Sequence, residues 1–382
     1  MEGPKKKTAK KLNNFSSFMR KVIVDLGARS YPVYIGRSAI DKIFSIKKSN
    51  LPSSLTPLFI ITNSKINKIH EKLLKKLIRD FKERVAVHKV PDSETAKSFA
   101  VYIKTIKRIA RFAQSTKPVI LALGGGVVGD LSGFVASTYR RGIPFIQIPT
   151  TLLGQVDSAV GGKVAIDIPE AKNIIGSFYQ PRAVLCDTRF IKTLPEKELR
   201  NGLAEVVKYG IIKDRLLFKF VESNLDKILK RDERALVSII HRSCRIKADI
   251  VEKDEFDDKN IRNVLNFGHT FGHAVEAASS YSRSVSHGQA VAIGMLMASF
   301  MARRMGILNK ADYDNIASLV KRVAPETSIK GLKMQTILNA LSYDKKFVSG
   351  VNKFILPQCI GNVKIVDNIP SGMIKEAISQ FK

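Results

Sequence analysis

Three of the six histidines fall within nineteen residues, and their spacing is what a divalent-metal site on a helix needs. In His269-Thr-Phe-Gly-His273 the two imidazoles stand at i and i+4, on one helical face, and His287 follows fourteen residues later. Two or three of these histidines, with a carboxylate, would hold a divalent metal; the competing reading is histidines that serve the core or cap a helix. Cys186, Cys244 and Cys359 are too widely spaced to act as a ligand group. A histidine-carboxylate set suits zinc with a position left open for a substrate oxygen.

The second constellation is Val119-Ile-Leu-Ala-Leu-Gly-Gly-Gly-Val-Val-Gly129-Asp130, where Gly124, Gly126 and Gly129 stand in G-x-G-x-x-G register between an expected strand and an expected helix. Such a turn lets backbone N–H groups and a helix N-terminus approach a pyrophosphate. The alternative is a glycine-rich turn without a ligand. No acidic ribose ligand stands near Pro149, so a nucleotide would be held differently from the ordinary dehydrogenase pattern. A third group, Arg141, Lys163, Lys172, Lys208, Lys247 and Arg262, lies beside Gly, Asn or apolar residues rather than in plain charge runs, which hints at anion binding.

The elements that must carry these residues follow from periodicity. Between about Arg29 and Thr193, short apolar runs at Leu58–Thr62, Arg84–Val90, Pro118–Leu123 and Pro144–Ile148 predict strands, and Lys65–Lys82 and Lys97–Thr116 predict amphipathic helices. That alternation reads as an open α/β domain with a parallel sheet. Beyond Pro195, helical periodicity dominates in Lys197–Lys213, Leu216–Lys230, Ala235–Lys253, Gly288–Met305 and Lys310–Arg322.

Length and composition limit the remaining classes. A chain of 382 residues with 45% hydrophobic and 26% charged residues is an ordinary globular protein of about two domains. No apolar run reaches the length of a membrane span, so no membrane partner is expected. The formal charge is +30, of which the Lys-rich segment Met1–Lys21, read as a disordered tail, accounts for only a minor share. Without Trp or a basic face interleaved with aromatics, no specific nucleic-acid partner is expected. The odd cysteine count and the lack of a secretory h-region point to a reducing compartment, the cytoplasm.

From about Ser30 onward the chain resembles the 3-dehydroquinate synthase family. The residues that carry the likeness are Ser30-Tyr-Pro-Val-Tyr-Ile-Gly36, Gly124-Gly-Gly-Val-Val-Gly-Asp-Leu131, Pro149-Thr-Thr-Leu-Leu153, Asp157-Ser-Ala-Val-Gly-Gly-Lys163, Lys172-Asn173, Leu203-Ala-Glu-Val-Val-Lys-Tyr-Gly210, the stretch from Arg262 to His273, and His287-Gly-Gln-Ala-Val291. The resemblance implies a Rossmann-like NAD-binding domain, 22–190, followed by a mostly α-helical metal- and substrate-binding domain, 191–382, with the active site in the cleft. It implies that NAD oxidises the C5 hydroxyl of 3-deoxy-D-arabino-heptulosonate 7-phosphate, that phosphate is eliminated, that the hydride returns, and that an intramolecular aldol closure yields 3-dehydroquinate.

Residue by residue, the resemblance implies Glu205, His269 and His287 as ligands of a zinc or cobalt ion, and turns His273 from a ligand into a proton-transfer residue. Substrate contacts would come from Asp157, Lys163, Asn173, Lys208, Lys247, Arg262 and Asn266, with Lys345 or Lys346 on the phosphate and Arg141 reaching a partner subunit's site in a homodimer. Lys208, Asn266 and Asp258 would assist catalysis; Asp258 stands where the family commonly has Glu. NAD would be held by Gly125, Gly126, Val127, Asp130, Thr150, Thr151 and Lys172, with Glu94 to Lys97 and Phe190 to Thr193. Asn63 stands where the family usually has an acidic ribose ligand. The rivals are another sugar phosphate cyclase on the same scaffold, a metal-dependent glycerol or alcohol dehydrogenase, and a polyanion binder exploiting the +30 charge.

Overall fold

The computed structural model describes residues 19–50, 56–81, 84–279, 285–342 and 352–382, and divides into two compact units. The first comprises residues 1–194 and 231–252, the second residues 195–230 and 253–382. The sequence boundary at 190/191 thus falls four residues early, and 231–252, expected in the second domain, belongs to the first. Helical periodicity says which face of Glu233–Val251 is buried but not against what, so its return to the first unit leaves no local mark.

The first unit is built on a seven-stranded sheet. In spatial order its strands are β1 (Arg20–Val24), β2 (Tyr31–Ile35), β9 (Ala183–Cys186), β6 (Phe145–Pro149), β5 (Val119–Gly124), β3 (Leu58–Asn63) and β4 (Val85–Val90); all pairs are parallel except β1 with β2. Phe59 and Ile61 enter one hydrophobic core, whereas Leu58 and Ile60 enter another, and Ile120 and Leu121 divide the same way. Alternate side chains of a strand face opposite sides, so both faces are covered, as a parallel sheet requires. Helices Phe99–Ala113 and Gly126–Thr138 cover one face through Ile109, Val128 and Leu131; Leu74 and Leu77 of Glu71–Asp80 cover the other. A separate antiparallel hairpin, β7 (Lys163–Ile168) and β8 (Ala171–Phe178), follows β6.

Two expectations change here. Lys21 lies in β1, whose Val22 and Val24 are buried, so the tail ends before Arg20; residues 1–18 lie outside the described residues. The helix expected over Lys65–Lys82 is two, Ser64–Ile69 and Glu71–Asp80, broken at His70. His70 turns its ring edge-on to Phe190 at 4.7 Å and meets the Thr193 hydroxyl at 3.2 Å, tertiary contacts that periodicity does not register.

The second unit is mostly helical. Glu196–Ile212, His269–Ala278 and His287–Arg304 form its centre, with Arg215–Leu229 and Lys310–Val323 around them. The helix pair His269–Ala278 and His287–Arg304 is packed so closely that a Cβ on Gly294 would collide with the Gly268 carbonyl. An unexpected hairpin, β10 (Lys353–Cys359) with β11 (Asn362–Asp367), buries Phe354, Ile355 and Leu356. So short an apolar run does not separate strand from helix by period.

Candidate functional site

In the first unit most of the expected cofactor residues follow the carboxyl ends of five neighbouring parallel strands, with Asp130 on the Gly126–Thr138 helix and Lys172 on β8 as the exceptions. Phe190 and Thr193 follow β9, Thr150 and Thr151 follow β6, Gly125 to Val127 follow β5, Asn63 ends β3, and Glu94 to Lys97 follow β4. That edge is where open α/β sheets bind ligands. The register aligns Gly124 with Pro149, and the Thr150 N–H donates to the Gly124 carbonyl at 2.9 Å, fixing the two turns together. The Gly126–Thr138 helix has no side-chain cap, which leaves its first-turn N–H groups for an anion. On that helix a Cβ at Gly129 would lie 2.7 Å from the Gln147 side-chain oxygen on β6, so glycine permits the close packing that aims the helix end. These features fit a dinucleotide pyrophosphate.

Lys97, only 3% exposed, ties this edge together. Its Nζ lies 3.0 Å from Asp130, 3.4 Å from Glu94 and 3.7 Å from Asp167, and donates to the Asn173 side-chain oxygen. Burial alone lowers a lysine, but the charges of Asp130, Glu94 and Asp167 outweigh it and raise its pKa. Asp130 is pushed up to about 6, chiefly by burial and further by Glu94 and Asp167, against the pull of Lys97. Asp167, which sequence reasoning missed, also accepts from the Asn173 N–H at 2.7 Å and so sets that residue's left-handed backbone. Asn63 accepts from the Ile66 N–H at 2.8 Å, capping Ser64–Ile69, and donates to Asp92 at 2.7 Å. Asp92, equally missed, thereby brings a carboxylate to the uncharged Asn63.

The same unit holds part of the anion-binding set. Lys247, 7% exposed on Glu233–Val251, donates to the Asp157 carboxylate at 2.5 Å and to its carbonyl at 2.8 Å. Lys163 opens β7 and Lys172 lies on β8, both exposed; Arg141 is exposed in a turn with positive φ.

The second unit carries the metal candidates. Glu205, fully buried on Glu196–Ile212, His269 and His287 each point one donor atom into a common space, all within 4.8 Å of one another. His269 Nε2 is 3.4 Å and His287 Nε2 is 3.5 Å from Glu205 Oε1. Two imidazole nitrogens and one carboxylate oxygen suit zinc. His273, at the i+4 position that spacing nominated, is exposed and outside the converging set; its ring centre is 5.4 Å from that of His269.

The packing explains the convergence. His287 is the first residue of its helix, fixed by the reciprocal Ser286–Gln289 capping box and by the Gly288 N–H donating to Asn201 on the Glu205 helix. Lys208, one turn after Glu205 and 2% exposed, meets its carboxylate at 2.5 Å. Burial, then Lys208, hold His269 well below the usual imidazole range, the neutral form a metal needs. His287 goes the other way, to about 10: burial lowers it, but the hydrogen bonds and charges of Glu205 and Glu276 prevail. A metal taking these donors displaces that proton.

Glu276 was missed, although His269, His273 and Glu276 repeat along one helix at four- and three-residue intervals. Its carboxylate lies 3.4 Å from His287 Nδ1, orienting the ring from behind. Asp254 was missed for lack of any local signal: buried, it accepts four backbone N–H bonds, from Asp258, Lys259, Ile261 and Arg262. Burial pushes its carboxyl up, yet those donors leave it lowered. It shapes the loop that presents Asp258, exposed, and buried Arg262, whose guanidinium donates to the Glu255 carbonyl at 2.9 Å; Asn266 ends the following 3₁₀ turn. Lys345 and Lys346 lie outside the described residues.

Family models described as 3-dehydroquinate synthase N-terminal and C-terminal match residues 87–201 and 202–347. A curated 3-dehydroquinate synthase of Caldanaerobacter subterraneus subsp. tengcongensis is 43% identical over 348 residues, 91% of this chain and 97% of that protein. Among solved structures, a 2-epi-5-epi-valiolone synthase from Streptomyces hygroscopicus subsp. jinggangensis 5008 with NAD+ and Zn2+ bound is 25% identical over 92% of this chain and 96% of its own, with a TM-score of 0.81. A 2-deoxy-scyllo-inosose synthase complexed with carbaglucose-6-phosphate, NAD+ and Co2+ shares the fold at a TM-score of 0.85 and 23% identity, over 95% of this chain and 100% of its own.

Proposed function

The chain belongs to the 3-dehydroquinate synthase family, and we propose that it converts 3-deoxy-D-arabino-heptulosonate 7-phosphate into 3-dehydroquinate and inorganic phosphate. It is a lyase that uses NAD and a divalent metal. When bound, NAD takes and returns a hydride, and the metal polarises the oxygen at the reacting carbon. The observation that carries the reading is the convergence of Glu205, His269 and His287 within 4.8 Å beside the Lys208 ammonium.

The chain's own residues divide the remaining work. Glu205, His269 and His287 hold the metal, and Glu276 keeps the His287 ring in place. Lys208, Arg262 and Asn266 in the second unit, and Lys163, Asn173 and the Lys247–Asp157 pair in the first, are each suited to the carboxylate, hydroxyls and phosphate of an anionic sugar acid. A fixed set of cations favours the dianionic leaving group as charge builds on it. His273, exposed beside His269, relays protons, an action suited to a side chain that ordinarily titrates near neutral pH. Gly125 to Val127 receive the pyrophosphate, and Asp92, held by Asn63, accepts a ribose hydroxyl. Asp92→Asn should weaken NAD+ binding about tenfold in calorimetry, as loss of a charged hydrogen bond does, with turnover restored at saturating NAD+; unchanged affinity would remove Asp92 from that role.

We read the assembly as a homodimer in the cytoplasm, with Arg141 directed to the partner's site; sedimentation and cell fractionation test these. None of the described helices is long and apolar enough to cross a membrane. The test of the activity is phosphate release from the heptulosonate phosphate with and without NAD+, with the product identified by mass. Release that depends on NAD+, accumulates no NADH and gives 3-dehydroquinate supports the reading. A carbocycle of another sugar phosphate, or steady NADH formation from a simple alcohol, would replace it.

A further inference from the structure

His70 joins two parts of the carboxyl edge that are far apart in the chain. The helix Ser64–Ile69 carries the backbone away from Asn63 over roughly 9 Å, about the length of a nucleoside, and His70 at its end meets the loop that follows β9. The main chain of that loop is anchored by other residues. Arg231 donates to the Ile191 carbonyl at 3.2 Å and to the Leu194 carbonyl at 2.8 Å, and the Thr188 hydroxyl donates to Glu233. Phe190, 1% exposed, packs in the core with Leu74 and Leu77. His70 instead sets its ring against Phe190 and a ring nitrogen against the Thr193 hydroxyl.

The hydrogen bonds of that hydroxyl can be counted. It has one proton and two lone pairs. The Phe190 carbonyl, 3.1 Å away, only accepts and therefore takes the proton. The imidazole can act in either role, and facing an oxygen whose proton is engaged it donates from Nε2 at 3.2 Å. Burial, ahead of the opposed charges of Asp187 and Arg189, lowers the His70 pKa, so near neutral pH the ring carries a single N–H and this bond fixes it on Nε2. One lone pair of the Thr193 oxygen is left over, on an exposed residue where a ligand can reach it, and it can only accept.

We propose that His70 is a specificity-determining positioning residue of the cofactor site: by donating to Thr193 it commits that hydroxyl to accept, and so selects a base with an amino group, the 6-amino group of adenine. The role rests on the assignment of Asn63 and Thr193 to NAD, which sets a ribose at Asn63–Asp92 and its base toward the helix that ends at His70. A 6-oxo purine turns an acceptor toward the same oxygen, lone pair against lone pair, and leaves both unsatisfied.

The test compares NAD+ with nicotinamide hypoxanthine dinucleotide in calorimetry, using wild type, His70→Phe, which keeps an aromatic edge on Phe190 without the N–H, and Thr193→Val. Wild type should bind NAD+ at least tenfold more tightly than the hypoxanthine analogue. In His70→Phe the hydroxyl is free to turn and donate, so the preference should fall to about threefold or less, with a higher KM for NAD+ and little change in kcat. The double variant should discriminate no less than Thr193→Val alone, since the two residues act through one oxygen. No preference in wild type, a preference retained in His70→Phe, or equal weakening of both dinucleotides by that variant would overturn the role of His70. Thr193→Val binding both dinucleotides as wild type does would instead remove Thr193 from the cofactor site, and the proposal with it.

Discussion

Each unit surrounds a buried charge with partners at its candidate site, and the two charges have opposite sign. In the first, Lys97 is 3% exposed and ringed by Asp130, Glu94 and Asp167; in the second, Glu205 is fully buried and faced by Lys208, His269 and His287. The first cluster carries more negative charge than its lysine offsets, so Lys97 stays protonated with no ligand, and the excess falls on Asp130. The second combines a carboxylate with two imidazoles whose donor atoms share one space. One arrangement fixes loops; the other is made for a cation.

The strongest way to break this contrast is to remove a donor from the second cluster. Glu205→Gln or His287→Ala should abolish both bound metal and phosphate release in metal analysis and a turnover assay; activity retained in either would remove that residue from the ligand set. Lys97→Met should cost about 3–5 kcal/mol in denaturant unfolding, because it strands the carboxylates around a buried position. Unchanged stability would mean that solvent already screens them. Glu276→Gln should lower metal affinity about 10–100-fold while the protein stays folded, the size expected for a carboxylate behind a ligating histidine; undiminished affinity would leave the His287 ring positioned by its helix end alone.

The smallest effect sharpens the contrast within one residue type. His287, between two carboxylates, is raised to about 10, whereas His88, buried near Arg108 and Lys104, is lowered to about 4. A histidine lowered on folding is neutral in the native chain but takes up a proton when unfolded below pH 6.5, so its effect is loss of stability as pH falls from 6.5 toward 4. Between pH 7 and pH 5 this is worth about 1–2 kcal/mol. His88→Asn should remove that part of the acid slope in unfolding measurements at the two pH values; an unchanged slope would assign it elsewhere.

What was legible in the sequence was local. The four strands expected from apolar runs end within one or two residues of β3, β4, β5 and β6, and the glycine turn lies where strand-turn-helix context put it. Spacing alone nominated His273 as a ligand, because i, i+4 geometry sees one helix and not the helix across from it. Glu205 stands 64 residues before His269 and became visible only through family resemblance. Asp254, Asp167 and Glu276 act through contacts across loops, strands or a helix end, and an acidic residue in such a place reads in sequence like any solvated one. The break at His70 and the hairpin β10–β11 likewise depend on tertiary packing.

The most direct test of the account is a metal titration. Chelated wild-type protein, supplied with NAD+ and substrate, is titrated with zinc while bound metal and phosphate release are followed together, beside Glu205→Gln. Turnover that rises in proportion to bound zinc, saturates at one zinc per chain, and is absent in the variant is the predicted result. Full turnover without bound metal, or one zinc bound equally by Glu205→Gln, would contradict it.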